Sequence, residues 1–274
     1  MVIQHNISAI NSYRNLSTNQ NALSKNLEKL SSGYRINRAG DDAAGLAISE
    51  TMRSQINGLN QAVNNANDAI GLIQTAEGAM TETHSMLQRM KTLTTQAANS
   101  TYTDTARNNI RDEISALKDE ITRIANTTEF NGKKPLAPVK AGDTLTFFIG
   151  ASAVKDNAMT VAQTIMTADA LKLKDIKVDN TTNAFKAMAS VDAAIEKVSS
   201  YRATLGAAQN RLEHTVNNLK VTSENITSAE SRIRDTDMAD EITAYTKNNI
   251  LLQAAQSMLS QSNAMPQGVL SMLQ

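Results

Sequence analysis

The chain has 274 residues, with 27 basic and 27 acidic side chains, no cysteine and only 3% aromatic residues. Zero net charge gives no electrostatic basis for binding nucleic acid or an anionic membrane. The lack of cysteine excludes disulfides, thiolate nucleophiles and Cys-based metal sites. Three prolines and eleven glycines are few, which argues against an all-β fold and favours long helices that meet along aliphatic stripes.

Targeting signals are not evident at the start of the chain. The first residues lack a basic segment followed by an apolar one, so we expect no cleaved secretory signal. No run approaches eighteen apolar residues, so the sequence predicts no membrane span. Composition alone therefore favours a cytoplasmic helical protein.

The first predicted element is an N-terminal helical arm over residues 1–42. Large apolar residues recur there at spacings typical of one helix face. Gly40 can end this helix, and Asp41 or Asp42 can cap the next one. The apolar positions expected to pack in this arm are Ile3, Ile7, Ile10, Leu16, Leu23, Leu27 and Leu30.

Three further helices follow, interrupted by one β region. The second helix, from about Ala43 to Ala98, would be roughly 80 Å long at 1.5 Å per residue, whereas a compact globule of this size is about 40 Å across. Apolar stripes at 110–124 and 188–233 predict the other two helices. The segment at about 130–180 contains two prolines and the run 145–149, which predicts a small β-hairpin region. The expected fold class is therefore mainly α, an elongated rod of long antiparallel coiled-coil helices with a small β-hairpin.

The last predicted element is a C-terminal arm over residues 235–274. It follows an acid-rich helix start at 235–241 and is apolar on more than one face. Its expected packing residues are Leu252, Leu259, Leu270 and Leu273. Because the two arms are similar in length and both apolar, we expect them to pair, with 43–234 forming a separate helical bundle. Since a two-helix pair has almost no interior, we also expect the arms to become ordered only when neighbouring copies bury their outer faces.

Several long blocks resemble those of bacterial flagellins. They are Leu30-Ser-Ser-Gly-Tyr-Arg-Ile-Asn-Arg-Ala-Gly-Asp-Asp-Ala-Ala-Gly-Leu-Ala-Ile48, Gln74-Thr-Ala-Glu-Gly-Ala-Met80, Glu129-Phe-Asn-Gly132, Asn210-Arg-Leu-Glu-His-Thr-Val-Asn-Asn-Leu219 and Glu230-Ser-Arg-Ile-Arg-Asp-Thr-Asp-Met238. The resemblance covers about 1–132 and 185–274. The segment 133–184 matches no motif and is short, so this looks like a flagellin without the large variable outer domains.

The resemblance implies a structural subunit that polymerises into the extracellular flagellar filament and serves motility. It implies type III export without a cleaved signal peptide, which replaces the cytoplasmic expectation. By analogy the arms, 1–42 and 235–274, form the inner filament core, and 43–234 forms the outer tube. The implied partners are further copies of the chain, an export chaperone on the C-terminal arm, and the filament cap and hook-junction proteins, with no nucleic acid and no membrane.

The resemblance also implies recognition by a Toll-like receptor of the host innate immune system. The family's contact segment resembles residues 88–96, which makes Arg89, Leu93 and Glu113 the candidate contacts. The chain departs from the usual pattern at Thr92, Thr94 and Thr95. A role of the same residues in the interface between subunits is the alternative.

An enzymatic function is not indicated by the chemically active residues. The three histidines lack the Glu-x-x-His spacing of di-iron bundles, no His-Glu-x-x-His is present, and no glycine-rich phosphate loop occurs. We therefore predict no catalytic site, metal or cofactor. The alternative function is a helical signalling or scaffold coiled coil, which would form a stable dimer at any concentration.

Overall fold

The computed structural model describes residues 5–138, 142–152 and 154–272, and within them the chain is mainly helical. In chain order the elements are α1 (Ile7–Ser32), α2 (Ala43–Ala98), α3 (Asp104–Thr127), β1 (Thr144–Phe148), a 3₁₀ turn (Lys155–Asn157), β2 (Ala158–Ala162), α4 (Thr181–Arg234) and α5 (Met238–Met272). The predicted fold class, mainly α with a small β-hairpin, is confirmed.

The chain divides into two compact units. The first comprises residues 1–54 and 224–274, and the second comprises residues 55–223, so α2 and α4 each contribute to both. The predicted boundaries at 42/43 and 234/235 instead follow the breaks between α1 and α2 and between α4 and α5.

In the first unit α1 packs against α5. The two helices are antiparallel, because Asn6 donates a hydrogen bond to the carbonyl oxygen of Ser262 at one end, and Lys29 lies 3.6 Å from the carboxylate of Glu241 at the other. The predicted pairing of the two arms is therefore confirmed. Buried side chains are few in this pair. Among the described residues of the two helices, only Asn26 and Ser262 fall in the buried class.

The second unit contains a continuous hydrophobic core. It is built from the facing stripes of α2, α3 and α4 together with residues that follow the hairpin. Alternating steps of three and four residues align these side chains on one face of each helix, as in coiled coils. The fully buried large residues of the helices in this core are Ile73, Met80, Leu87, Met90, Leu93, Ile114, Ile121 and Leu212.

The two strands form an antiparallel hairpin within the second unit, with Thr144 opposite Ala162 and Phe148 opposite Ala158. Alternate residues of β2, Met159 and Val161, are buried in the core. The hairpin lies against α2, since Asn65 donates a hydrogen bond to the carbonyl oxygen of Phe148.

Glycine and short polar side chains set the helix ends. α1 ends at Gly33, whose φ of 76° is left-handed, so the sequence-based assignment of a helix stop to Gly40 is wrong. Glycine has no Cβ to clash in this conformation. Asp42 rather than Asp41 caps α2, because its carboxylate accepts the N–H of Gly45 at 2.8 Å.

Candidate functional site

The α1–α5 pair carries a broad apolar surface with no partner among the described residues. Ten large hydrophobic side chains on these helices are 41–65% exposed. They are Ile7, Ile10, Tyr13 and Leu27 on α1, and Met238, Ile242, Ile250, Leu251, Met258 and Met265 on α5. Large apolar side chains exposed in such number on one helix pair are typical of a site of protein association.

The predicted packing residues divide into three groups. Ile7, Ile10 and Leu27 are exposed, and their side chains are available to a partner. Five others, Leu16, Leu23, Leu30, Leu252 and Leu259, are half-buried. Ile3 and Leu273 lie outside the described residues, as does the side chain of Leu270.

The interior of the α1–α5 pair is polar at both ends. Besides the Asn6–Ser262 and Lys29–Glu241 contacts, Asn26 is buried to 9% exposure within α1. Polar groups in a helix seam reduce stability but favour one register over others. The alignment of α1 on α5 is therefore set by specific polar contacts rather than by apolar packing alone.

A backbone junction joins the loop after α1 to the end of α4. Tyr34 and Asp235 form an isolated antiparallel bridge. The N–H of Arg35 donates to the carbonyl oxygen of Arg234 at 2.7 Å, and the N–H of Thr236 donates to that of Gly33 at 3.0 Å. Carbonyl groups at helix C-termini lack partners within the helix. At this junction the N–H groups of each segment supply partners for the carbonyl groups of the other.

Side chains reinforce this junction around the ring of Tyr34. The guanidinium carbons of Arg234 and Arg53 lie 4.7 Å and 5.8 Å from the ring centroid, within the range of cation–π attraction. Arg234 also pairs with Glu50 at 2.7 Å, and Arg53 with Glu230 at 3.2 Å. Desolvation lowers the pKa of Arg53, but the attraction of Glu230 and the contact with Tyr34 outweigh it and raise the pKa overall.

The loop between the junction and α2 is closed by Asp41. Its carboxylate accepts the N–H groups of Arg38 at 3.1 Å and of Asn37 at 3.3 Å. These two hydrogen bonds hold the pKa of the Asp41 carboxyl below its usual value. Ile36, in the same loop, is 2% exposed, so the loop is anchored by one apolar and one polar contact.

The candidate receptor contacts do not share one environment. The guanidinium of Arg89 pairs with the carboxylate of Glu113 at 2.8 Å, and both side chains are exposed. Leu93 is 2% exposed and belongs to the core of the second unit. Because its side chain does not reach the surface, the predicted contact through Leu93 does not fit this structure, and the surface part of the prediction consists of Arg89 and Glu113.

The described residues offer no arrangement typical of catalysis. No group of three or more His, Asp or Glu side chains among them could hold a metal ion. No described helix combines the length and apolarity that a bilayer crossing requires.

Comparison with known proteins identifies the family. The bacterial flagellin N-terminal helical region matches residues 3–141, and the bacterial flagellin C-terminal helical region matches residues 188–273. The chain belongs to the bacterial flagellin family. It is 51% identical to flagellin of Bacillus subtilis (strain 168) over 303 aligned positions, and 46% identical to the flagellar filament 33 kDa core protein of Treponema phagedenis over 287, with complete coverage of both chains in each case.

A solved flagellin structure agrees with this assignment. The crystal structure of Bacillus cereus flagellin matches 61% of the chain with a TM-score of 0.50 at 29% identity, covering 94% of that chain. As a flagellin, the chain is a structural subunit of the extracellular flagellar filament and not an enzyme, and the alternative of a signalling or scaffold coiled coil is set aside. The full-length match to short relatives also agrees with the prediction of a flagellin without large outer domains.

The sequence alone did not reveal the junction around Tyr34. The sequence identifies the two blocks that form it, 30–48 and 230–238, as motifs, and it predicts that the arms pair. Their direct contact depends on residues about 200 positions apart, such as Arg35 and Ile233, which no local periodicity connects.

Proposed function

We propose that copies of this flagellin polymerise by burying the exposed apolar face of α1 and α5 against one another. Residues 1–42 and 235–274 then form the inner core of the filament, and residues 43–234 form its outer tube. The observation that carries this proposal is the set of ten large apolar side chains left exposed on two paired helices. Burying each contributes about 1.5–3 kcal/mol.

Polymerisation is also what gives the arms a fixed conformation. Ordering costs on the order of 1–2 kcal/mol per residue, and a helix pair whose described part buries only two polar residues offsets little of that cost. Neighbouring copies supply the missing contacts, so that ordering of the arms is coupled to assembly.

Seeded growth tests the proposal directly. Purified chain, mixed with sheared filaments of the same protein, should elongate them above a critical concentration. Deleting residues 1–30 or 250–274 should abolish elongation, while the helical circular dichroism of the remaining bundle persists. Filament growth by either truncated chain would contradict the assignment of the arms.

The same exposed surface supports the proposal that an export chaperone binds the C-terminal arm. Before assembly, Ile250, Leu251 and Met258 on α5 are open to solvent and would promote premature association. A chaperone that covers residues 235–274 would prevent this during type III export, for which no cleaved signal peptide is needed.

Two other partners follow from the geometry of an open polymer. A chain of like subunits joined by unlike surfaces ends in two different unpaired faces. The filament cap and the hook-junction proteins would bind these two ends. A host Toll-like receptor is a further partner, with Arg89 and Glu113 as the exposed contacts in this chain.

A further inference from the structure

Three of the four phenylalanines in the chain surround one groove on the second unit. Phe130, Phe147 and Phe148 line it together with Leu72 and Ala69 of α2, and its volume is about 490 Å³. Phe148 is 43% exposed. Such a concentration of aromatic surface is unusual for a chain with only 3% aromatic residues, and aromatic side chains dominate the energetics of interfaces.

The fourth phenylalanine is exposed elsewhere on the same unit. Phe185 lies in the second turn of α4 and is 60% exposed. The next residue, Lys186, is also exposed. In the described part of the chain Lys186 forms no ion pair, whereas Lys197 on the same helix donates to the carbonyl oxygen of Ala170.

The groove and Phe185 are too far apart to meet within one molecule. The groove contacts α2 at Asp68, whereas the start of α4 lies beside the other end of α2, where Lys91 pairs with Asp192 at 2.7 Å. Twenty-three residues separate Asp68 from Lys91, and Phe185 lies seven residues further out on the antiparallel α4. At 1.5 Å per residue these steps add to a separation of about 45 Å.

We propose that Phe185 of one copy inserts into the Phe130–Phe147–Phe148 groove of the next copy. The charges are complementary, because Asp68 lines the groove without an ion pair among the described residues and Lys186 flanks Phe185. The other charge on the groove wall is Lys133, which leaves Asp68 as the acceptor for Lys186. A contact between two different surfaces does not close on itself and generates an open assembly.

This contact deepens the proposed function and rests on it, since it places a second set of subunit contacts outside the arms. Both surfaces lie in the unit at 55–223, whose core is complete without α1 and α5. The arms would supply most of the buried area, and the Phe185 contact would set the spacing of one bundle from the next.

Cross-linking in the assembled state provides the first test. Because the full chain contains no cysteine, a double variant Thr182→Cys/Thr146→Cys carries one thiol at each half of the contact and keeps Phe185. Thr182 is exposed one turn before Phe185 on α4, and Thr146 is exposed at the groove. A short bis-maleimide added to its filaments should give a ladder of covalent multimers. Filaments of either single-cysteine variant should give no ladder, and neither should the dilute double variant. Filaments of the double variant that yield no ladder would overturn the proposal.

Charge reversal provides the second test and does not depend on cross-linking. Asp68→Lys and Lys186→Asp should each raise the critical concentration for seeded growth about tenfold, equivalent to about 1.4 kcal/mol. The double variant should return to within about threefold of the unaltered chain. Asp119→Lys, at an exposed position on α3, is the matched control and should have no effect. A double variant as poor as the single ones would overturn the contact, as would normal growth of both single variants.

The two proposals fail in distinguishable ways. If the unaltered chain does not elongate seeds, the proposed function is wrong. If it elongates them normally but the cross-link or the charge rescue is absent, only the Phe185 contact is wrong. Variants at the groove that leave growth intact and weaken only chaperone or receptor binding would assign the groove to that partner instead.

Discussion

Gly45, in the first turn of α2, lies where any side chain would clash with neighbouring residues. A Cβ at this position would lie 2.5 Å from the carboxylate of Asp42 and 2.8 Å from the side chain of Ile36. Asp42 caps the helix and Ile36 anchors the preceding loop. Displacing either side chain would therefore weaken the cap or the packing of the loop. The lack of a side chain at Gly45 is therefore a packing requirement of the signature block.

We expect Gly45→Ala to destabilise the chain by about 1–3 kcal/mol, as overpacked positions do. Gly78 is the matched control, because it lies inside α2 and a Cβ there would meet nothing within 4 Å. Gly78→Ala should stabilise by about 0.5–1 kcal/mol, since alanine favours helix. Urea unfolding of the monomer measures both variants. Equal effects of the two substitutions would contradict the packing role of Gly45.

Asp41 makes the loop between α1 and α2 sensitive to pH. The N–H groups of Arg38 and then Asn37 lower the pKa of its carboxyl, aided by Lys25 and Lys29 and opposed by desolvation. Because the folded pKa lies below the unfolded value of about 3.9, the charged form stabilises the loop above that value. The stabilisation is lost as the pH falls through the folded pKa.

Carbon-13 NMR of the Asp41 carboxyl checks this sign. The titration midpoint in the folded monomer should lie below that of the same residue in urea-unfolded chain. Asp41→Ala, which removes the acceptor, should also remove the protection of the Arg38 amide from hydrogen exchange at neutral pH. A folded midpoint equal to or above the unfolded one would show that the two backbone hydrogen bonds do not form.

At the scale of the helices, α4 buries apolar side chains in the core, whereas α5 leaves apolar side chains exposed to solvent. Leu212 on α4 is completely buried in the core, whereas Ile250 on α5 is 62% exposed. An apolar side chain contributes to the stability of the monomer only where the monomer buries it. The two positions therefore separate folding of the bundle from assembly of the arms.

Ile250→Asp should change the unfolding free energy of the monomer by no more than about 0.5 kcal/mol. It should abolish seeded growth, because an unpaired charge buried among neighbouring chains costs several kcal/mol. Leu212→Ala is the control of opposite character and should lose about 2–5 kcal/mol of monomer stability. Normal filaments from Ile250→Asp would show that this face of α5 remains in contact with water.

Helical periodicity predicted the core of the bundle well and the surface of the arms poorly. Stripes such as Ile110, Ile114 and Ile121 are buried as their spacing indicates. Ile7 and Ile10 have a similar spacing but are exposed, because the pattern shows that a face is apolar without showing what covers it. For the same reason, the sequence predicts Leu93 as a receptor contact, although the core of the bundle buries its side chain.

The helix ends show a second limit of the sequence. Gly33 and Gly40 are equally able to end a helix, and the structure selects Gly33, whose carbonyl oxygen accepts the N–H of Thr236. The choice thus depends on the distant end of α4. Long-range pairing of this kind fixes the junction around Tyr34, and it leaves no periodic signal in either segment.

At the scale of the whole molecule, the chain combines a completed core with an uncovered pair of helices. The unit at 55–223 buries aliphatic stripes from three helices, whereas the α1–α5 pair exposes ten large apolar side chains. Zero net charge adds little repulsion between copies. Under the proposed function, neighbouring copies cover this apolar surface in the filament and add to the stability of the helix pair.

Amide hydrogen exchange, measured by mass spectrometry on the dilute monomer and on the filament, tests most directly whether the arms become ordered only on assembly. In the monomer, peptides from α1 and α5 should exchange rapidly while the core stretches of α2 and α4 remain protected. In the filament, both sets should be protected. Strong protection of α1 and α5 in the dilute monomer, equal to that of the bundle, would contradict the coupling of arm ordering to assembly.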